Sequence, residues 1–308
     1  MNPVAVLLVC LIPAGCGAQT AGEGSRGAII DTEQMIAHVR ELSDDAYEGR
    51  KTGTPGAVRA RAYITQVLAG TGASMCSGST SWEHAVSTER AAEGPVVNVI
   101  AEVPGTVHSD LRMVVSAHYD HLGRRQGQIY NGADDNASGT AAVLELARYF
   151  AANPPEHTIV FALFDFEEGG LNGSRAFVDE PCGQGRIAVN VNLDMVSRSL
   201  DSTLFAAGTY HYGFLRPILE SVPVPEGMYV VYGHDIPGTG SSDWTMSSDH
   251  GPFHAAGIPF VYYGVEDHGG YHHPSDDFAF ITQEFYAHVG NYVADVVSTL
   301  NASLPTLQ

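Results

Sequence analysis

The chain has 308 residues, and its 44% hydrophobic and 16% charged side chains give a globular balance and exclude a disordered chain. Its formal charge is -20, from 35 acids against 15 bases, with Lys51 the sole lysine. Such a surface repels phosphate backbones, which excludes nucleic acid as a partner and leaves solubility, or attraction of cationic groups such as free α-amines, as its use.

Residues 4–14 form an apolar run ending in small side chains. It is too short to span a bilayer and reads as the core of an export signal. Pro13-Ala14-Gly15-Cys16 resembles a bacterial lipobox, although Pro13 stands where Leu or Val is usual and no Lys or Arg precedes the run. Residues 1–16 are therefore expected to be an export segment and residues 17–30, rich in Gly, Ala, Ser and Thr, a flexible tether. Residues 31–303 are expected to form a single domain. The protein would be periplasmic or a cell-envelope lipoprotein, held to a membrane only through a lipid on Cys16, or else freely secreted. Cys10 and Cys16 fall in this first segment. Cys76 and Cys182 remain, and an oxidising compartment would let them pair, but their spacing leaves that open.

Apolar spacing predicts a helix over residues 31–42, with Asp31 or Thr32 as N-cap, and a second over 57–68, ended by Gly70. Residues 71–94 are small and polar and read as an irregular surface segment. Residues 96–103 and 112–117 are β-rich, and the second run stops at His118. Residues 138–150 read as a helix capped by Ser138. Residues 158–164 form an apolar strand buried on both faces, which delivers Asp165-Phe166-Glu167-Glu168. A helix follows over 171–178, then a strand over 187–193 that ends at Asp194. Short strands are expected at 203–206, 228–232 and 258–263, and helices at 210–222, despite Pro217, and at 283–300. Strands alternating with helices predict an α/β fold with a largely parallel sheet covered on both faces by helices.

Chemistry-bearing residues cluster where apolar runs end. His118-x-Asp120 offers an imidazole ligand and a carboxylate to hold its other ring nitrogen. Asp134-Asp135 precede a helix, where acids are also common as caps, yet one of them could bridge two ions. Two adjacent carboxylates after a buried strand, Glu167-Glu168, are costly to place unless cations neutralise them. Asp194 and His272 complete a set of imidazole and carboxylate donors that Zn²⁺ accepts. His121 and His108 read as ordinary histidines. Asp249 is a candidate for meeting a substrate amine, but Ser248-Asp249 is equally a helix cap.

The motifs Ser116-Ala117-His118-Tyr119-Asp120-His121-Leu122-Gly123, Gly132-Ala133-Asp134-Asp135-Asn136-Ala137-Ser138-Gly139, Phe164-Asp165-Phe166-Glu167-Glu168-Gly169-Gly170-Leu171-Asn172-Gly173-Ser174, Asn192-Leu193-Asp194-Met195 and Tyr271-His272-His273-Pro274-Ser275-Asp276 resemble those of the co-catalytic di-zinc aminopeptidases. The wider family includes glutamate carboxypeptidases and glutaminyl cyclases. The resemblance implies a zinc exopeptidase-like fold, three layers, α/β/α, around a central mixed, mostly parallel twisted sheet, and two Zn²⁺ per chain. It implies that Asp134 bridges both ions, His118 and Asp194 complete one, and Glu168 and His272 the other. Asp120 would orient His118, Asp135 would follow a strained peptide bond, and Glu167 would be the general acid/base on a water between the ions. Asp249, His250 and Tyr263 are the substrate-binding candidates, with Tyr232 as an alternative to Tyr263 for steadying an oxyanion. The expected substrate is a peptide with a free N-terminus. The alternatives are a single-zinc glutaminyl cyclase, a carboxypeptidase, for which Arg198 is the nearby cation in sequence, and a non-catalytic binding module.

Overall fold

The computed structural model describes residues 30–88, 94–107 and 110–307. The export segment, the tether apart from its last residue, Cys16 and His108 lie outside the described residues. Among the described residues, no helix is long and apolar enough to cross a membrane.

The strands, in chain order, are β1 (Ser74–Met75), β2 (Glu83–Val86), β3 (Val96–Val103), β4 (Leu111–His118), β5 (Gly123–Arg125), β6 (Gln128–Tyr130), β7 (Thr158–Phe164), β8 (Arg186–Leu193), β9 (Thr203–Ala207), β10 (Tyr229–Tyr232) and β11 (Phe260–Gly264). The helices are α1 (Thr32–Leu42), α2 (Pro55–Thr71), α3 (Gly139–Ala152), α4 (Asn172–Asp179), α5 (Arg216–Glu220), α6 (His250–Ala255) and α7 (Gln283–Ser303). Among the described residues, nine strands form one sheet in the order β1-β3-β7-β4-β8-β11-β9-β10, with β2 also on β3, while β5 and β6 pair apart. The middle of the sheet is parallel: β4 runs with β7 and β8, and β8 with β11. The flanks, β3 on β7 and β9 on β11, are antiparallel, so the sheet is mixed.

Period-two alternation sends neighbouring side chains to opposite faces. Val115, Ala117, Phe161, Leu163, Val191 and Tyr263 join the core beneath α1, α2, α3 and α7. Val114, Val160, Ala162 and Phe164 pack with Phe177 of α4 and Phe253 of α6 on the other face. The result is the expected three-layer α/β/α arrangement.

Several elements differ from expectation for identifiable reasons. The helix over 210–222 shrinks to α5 after a turn at Gly213–Leu215, because Pro217 has no N–H and fits only the first helical turn. α2 runs past Gly70 and stops at Gly72, whose φ of 92° is the left-handed conformation that ends helices. Ser138 does not cap α3; its hydroxyl donates to Asp134 O, and Asn136 Oδ1 accepts from Gly139 N instead. The segment read as irregular holds β1 and β2, both paired to β3. Cys76 and Cys182 are disulfide-bonded, tying the end of β1 to the loop after α4.

Candidate metal centre

Strand register builds the site. Ser116 is level with Asn192 across β4 and β8, and His118 with Phe164 across β4 and β7. Two residues beyond the first pair, His118 meets Asp194, with Nε2 3.3 Å from Oδ1. β7 ends level with His118 and releases a tight turn in which Gly170 N and Leu171 N both donate to Glu167 O. Phe166 and Leu171 take positive φ to close that turn. β11 ends beside β8 and runs into the loop that carries Asp267, His268 and His272. The site thus lies at the carboxyl ends of the parallel strands, where open α/β sheets bind ligands.

Two donor groups result, His118 with Asp135 and Asp194, and His121 with Asp135 and Glu168. Asp135 belongs to both. Its Oδ1 lies 3.5 Å from His118 Nε2, while its Oδ2 lies 3.5 Å from His121 Nδ1 and 3.3 Å from His272 Nε2. His272 Nε2 is also 3.5 Å from Glu168 Oε2, so it joins the second group.

The structure corrects the assignment of Asp134 as the shared ligand. Its Oδ1 accepts from Ser197 N at 2.7 Å and Ser197 Oγ at 2.8 Å, and its Oδ2 lies 2.9 Å from His268 Nε2. Adjacent side chains diverge, and the loop decides which one faces the centre. Asp276 holds that loop by accepting from both Asp134 N and Asp135 N. The cis peptide bond is Asp135–Asn136, so Asp135 precedes it and does not follow it. Beneath the loop, fully buried Arg50 donates to the main-chain carbonyls of Leu42, Tyr119, Asn131 and Gly132.

Asp120 is also reassigned. His118 Nδ1 faces its main-chain oxygen at 3.1 Å, while the carboxylate stands off at 3.8 Å. That carboxylate accepts from Glu167 N at 3.0 Å and from Thr52 Oγ1 at 3.2 Å, so it positions the Glu167 turn. His121, an ordinary histidine on the sequence reading, is brought by the fold beside Asp135 and Glu168 in the second donor group. The sequence signal was its place three residues after His118, just past a strand end.

A cavity of about 420 Å³ opens over these groups, with Glu167, Arg175, Trp244, Tyr262 and Asp267 in its wall. Asp249, His250 and Tyr263 are not in that wall, contrary to expectation. Asp249 is fully buried and makes no side-chain cap on α6. His250 packs on Phe260 and Tyr262, with Nε2 2.8 Å from Trp244 O. Tyr263 alternates to the far face and packs edge-on against Tyr292, leaving Tyr262 on the cavity side. Tyr232 is absent from the wall as well. Arg198 stacks over Phe280 in a neighbouring groove.

The sequence signature of Peptidase family M28 matches residues 98–297. The chain belongs to peptidase family M28. It is 33% identical to Aminopeptidase YwaD of Bacillus subtilis over 205 residues, which cover 62% of this chain and 41% of that protein. The M28 chain thus spans less than half of that relative's length. In fold it is similar to a Zn-dependent exopeptidase from Parabacteroides distasonis, with a TM-score of 0.68 at 17% identity over 88% of this chain and 98% of the other. It is equally similar to a Bacteroides thetaiotaomicron glutaminyl cyclase, with a TM-score of 0.70 at 20% identity over 89% and 99%.

The polar atoms of this M28 chain fit a cation. Both ring nitrogens of His121 and Oε1 of Glu168 are buried without a hydrogen-bond partner. Yet His121 Nδ1 and Glu168 Oε1 lie 2.9 Å apart, so the two converge on a common point without the direction a hydrogen bond needs. Imidazole and carboxylate donors in such a set suit zinc. The electrostatics agree. Hydrogen bonds to Asp135 and then Glu168 push the His272 imidazole up to about 10. Burial opposes charge on His118, but Asp194 and Glu167 outweigh it and raise its pKa. Glu167 is pushed well above the usual carboxylate range by burial, against the pull of His118 and with Asp249 and Asp194 adding to the rise.

Proposed function

We propose that this chain is an exported, zinc-dependent aminopeptidase that hydrolyses the N-terminal peptide bond of peptides, with Glu167 as general acid/base. The observation that carries the reading is Asp135, whose two oxygens face two separate donor groups beside a cavity walled by Glu167. On this reading His118, Asp135 and Asp194 would hold one cation, and Asp135, Glu168 and His272, joined by His121, would hold the second. Bound there, zinc supplies Lewis acidity and brings the pKa of water near neutrality.

The chain's own residues do the rest. Glu167, buried and proton-avid, takes the proton of the attacking water and returns it to the leaving amine. Asp120 fixes the base by accepting from its main-chain N–H. Asp276, Ser197 and Arg50 fix the loop that aims Asp135. Asp267 in the cavity wall adds negative charge that favours a free α-amine.

Two donor groups sharing one carboxylate favour a two-cation hydrolase over the single-zinc cyclase reading. The 33% identity to a protein named as an aminopeptidase supports the same choice. The Cys76–Cys182 disulfide supports export, since such bonds persist in oxidising compartments. The test is to incubate purified, zinc-loaded protein with aminoacyl-nitroanilides and with Gln-peptides, with and without chelator. Chelator-sensitive release of N-terminal residues supports the proposal. Pyroglutamate formation would move it to the cyclase reading, and chelator-resistant hydrolysis would refute a metal mechanism.

A further inference from the structure

We propose that Arg175 binds the C-terminal carboxylate of the substrate and so biases this site toward dipeptides. The inference rests on the aminopeptidase reading and names the substrate class for that site.

Arg175 belongs to α4 and lines the same cavity as Glu167, Asp194 and His272. Its Nε donates to Gly170 O at 3.3 Å, and Gly170 N donates to Glu167 O at 2.7 Å. The guanidinium is therefore docked on the turn that carries the base. Its two Nη groups form no ion pair among the described residues. Asp179, one helical turn along α4, faces a different cavity. A guanidinium anchored through Nε presents the planar fork that binds a carboxylate with two parallel N–H···O bonds.

The charge pattern gives that fork its significance. The wall holds five carboxylates, Asp135, Glu167, Glu168, Asp194 and Asp267, against one guanidinium. A dipeptide is zwitterionic, so it would set its amine toward the carboxylates and its carboxylate toward Arg175. A neutral C-terminal amide leaves the guanidinium without its partner. The volume, about 420 Å³, is at the small end for ligand pockets.

The experiment uses zinc-loaded full chain and three substrates: X-Gly, X-Gly-NH2 and X-Asp-NH2, where X is the residue best accepted as an aminoacyl-nitroanilide. The expected result is that kcat/KM for X-Gly exceeds that for X-Gly-NH2 by about tenfold, mainly through KM, as suits a charge-assisted bond at a partly exposed site. The ratio should shrink at high salt, fall toward one in Arg175→Gln and partly return in Arg175→Lys. Because each ratio is taken within one variant, general damage to the enzyme cancels. A wild-type ratio near one, or a ratio that Arg175→Gln leaves unchanged, overturns the proposal while the aminopeptidase reading stands. An Arg175-dependent preference for X-Asp-NH2 over X-Gly-NH2, without a preference for X-Gly, assigns the guanidinium to an acidic second side chain and overturns the C-terminal assignment. Failure to cleave any nitroanilide or peptide overturns the aminopeptidase reading and this proposal with it.

Discussion

His118 and Asp194 lie 3.3 Å apart at neighbouring strand ends, although 76 residues separate them in the chain. Parallel strands make this pairing possible, because each crossover returns the chain to the same edge of the sheet. Asp135 and Glu168 reach that edge from two further loops. Buried carboxylates this close repel one another and lose hydration, so the arrangement is costly unless cations or protons offset it. Here that cost is concentrated where His118, Asp135, Glu168 and Asp194 converge at the carboxyl ends of the parallel strands, which is the signature of a built site.

Glu167→Gln keeps the shape and hydrogen-bonding size of the side chain but removes its proton chemistry. The expected outcome is a loss in kcat of about 10² to 10⁴ with bound zinc unchanged. Elemental analysis beside a nitroanilide assay checks this. Wild-type turnover in that variant would remove Glu167 from the mechanism.

Arg50→Met should destabilise the protein strongly. The guanidinium satisfies four main-chain carbonyls from three segments, and no apolar side chain can replace those bonds. Leaving buried carbonyls unpaired beneath the Asp135 loop is expected to cost about 3 to 5 kcal/mol, the range for breaking a buried charged network. Denaturant midpoints measure it, and a change under about 1 kcal/mol would contradict the structural role.

Proton release should accompany zinc uptake. In the metal-free protein His272 is raised from 6.5 to about 10 by Asp135 and Glu168, so it is protonated at neutral pH. A metal ligand must be neutral, so the cation competes with that proton and apparent affinity rises with pH through this window. Conversely, the same ion pairs stabilise the metal-free fold fully below pH 6.5 and are lost as pH rises toward about 10. Calorimetric titration with zinc in buffers of different ionisation enthalpy reads the released protons directly. Uptake without proton release at pH 7 would count against this picture.

Much of this was legible in the sequence because strand ends are legible. His118, Glu168 and Asp194 each follow an apolar run with β character, and the three meet because the sheet aligns its carboxyl edges. The choice between Asp134 and Asp135 was not legible. Both are acidic, both are buried, and what separates them is a loop anchored from 142 residues away by Asp276. The same limit applies to Tyr262 and Tyr263, where a one-residue difference in a strand decides which face a ring takes. The place of His121, three residues after His118, is a weak signal in the sequence, because only the fold brings Asp135 and Glu168 beside it. Arg175 was overlooked because its place in the cavity depends on the turn at Gly170, not on spacing.

Asp135 is shared by both donor groups, so its loss should empty both cation positions. The direct measurement is zinc per chain, by elemental analysis after dialysis, in the wild type and in Asp135→Ala and Asp134→Ala. The account predicts two ions in the wild type and less than one in Asp135→Ala, with Asp134→Ala retaining more than Asp135→Ala. Two ions retained by Asp135→Ala would contradict it.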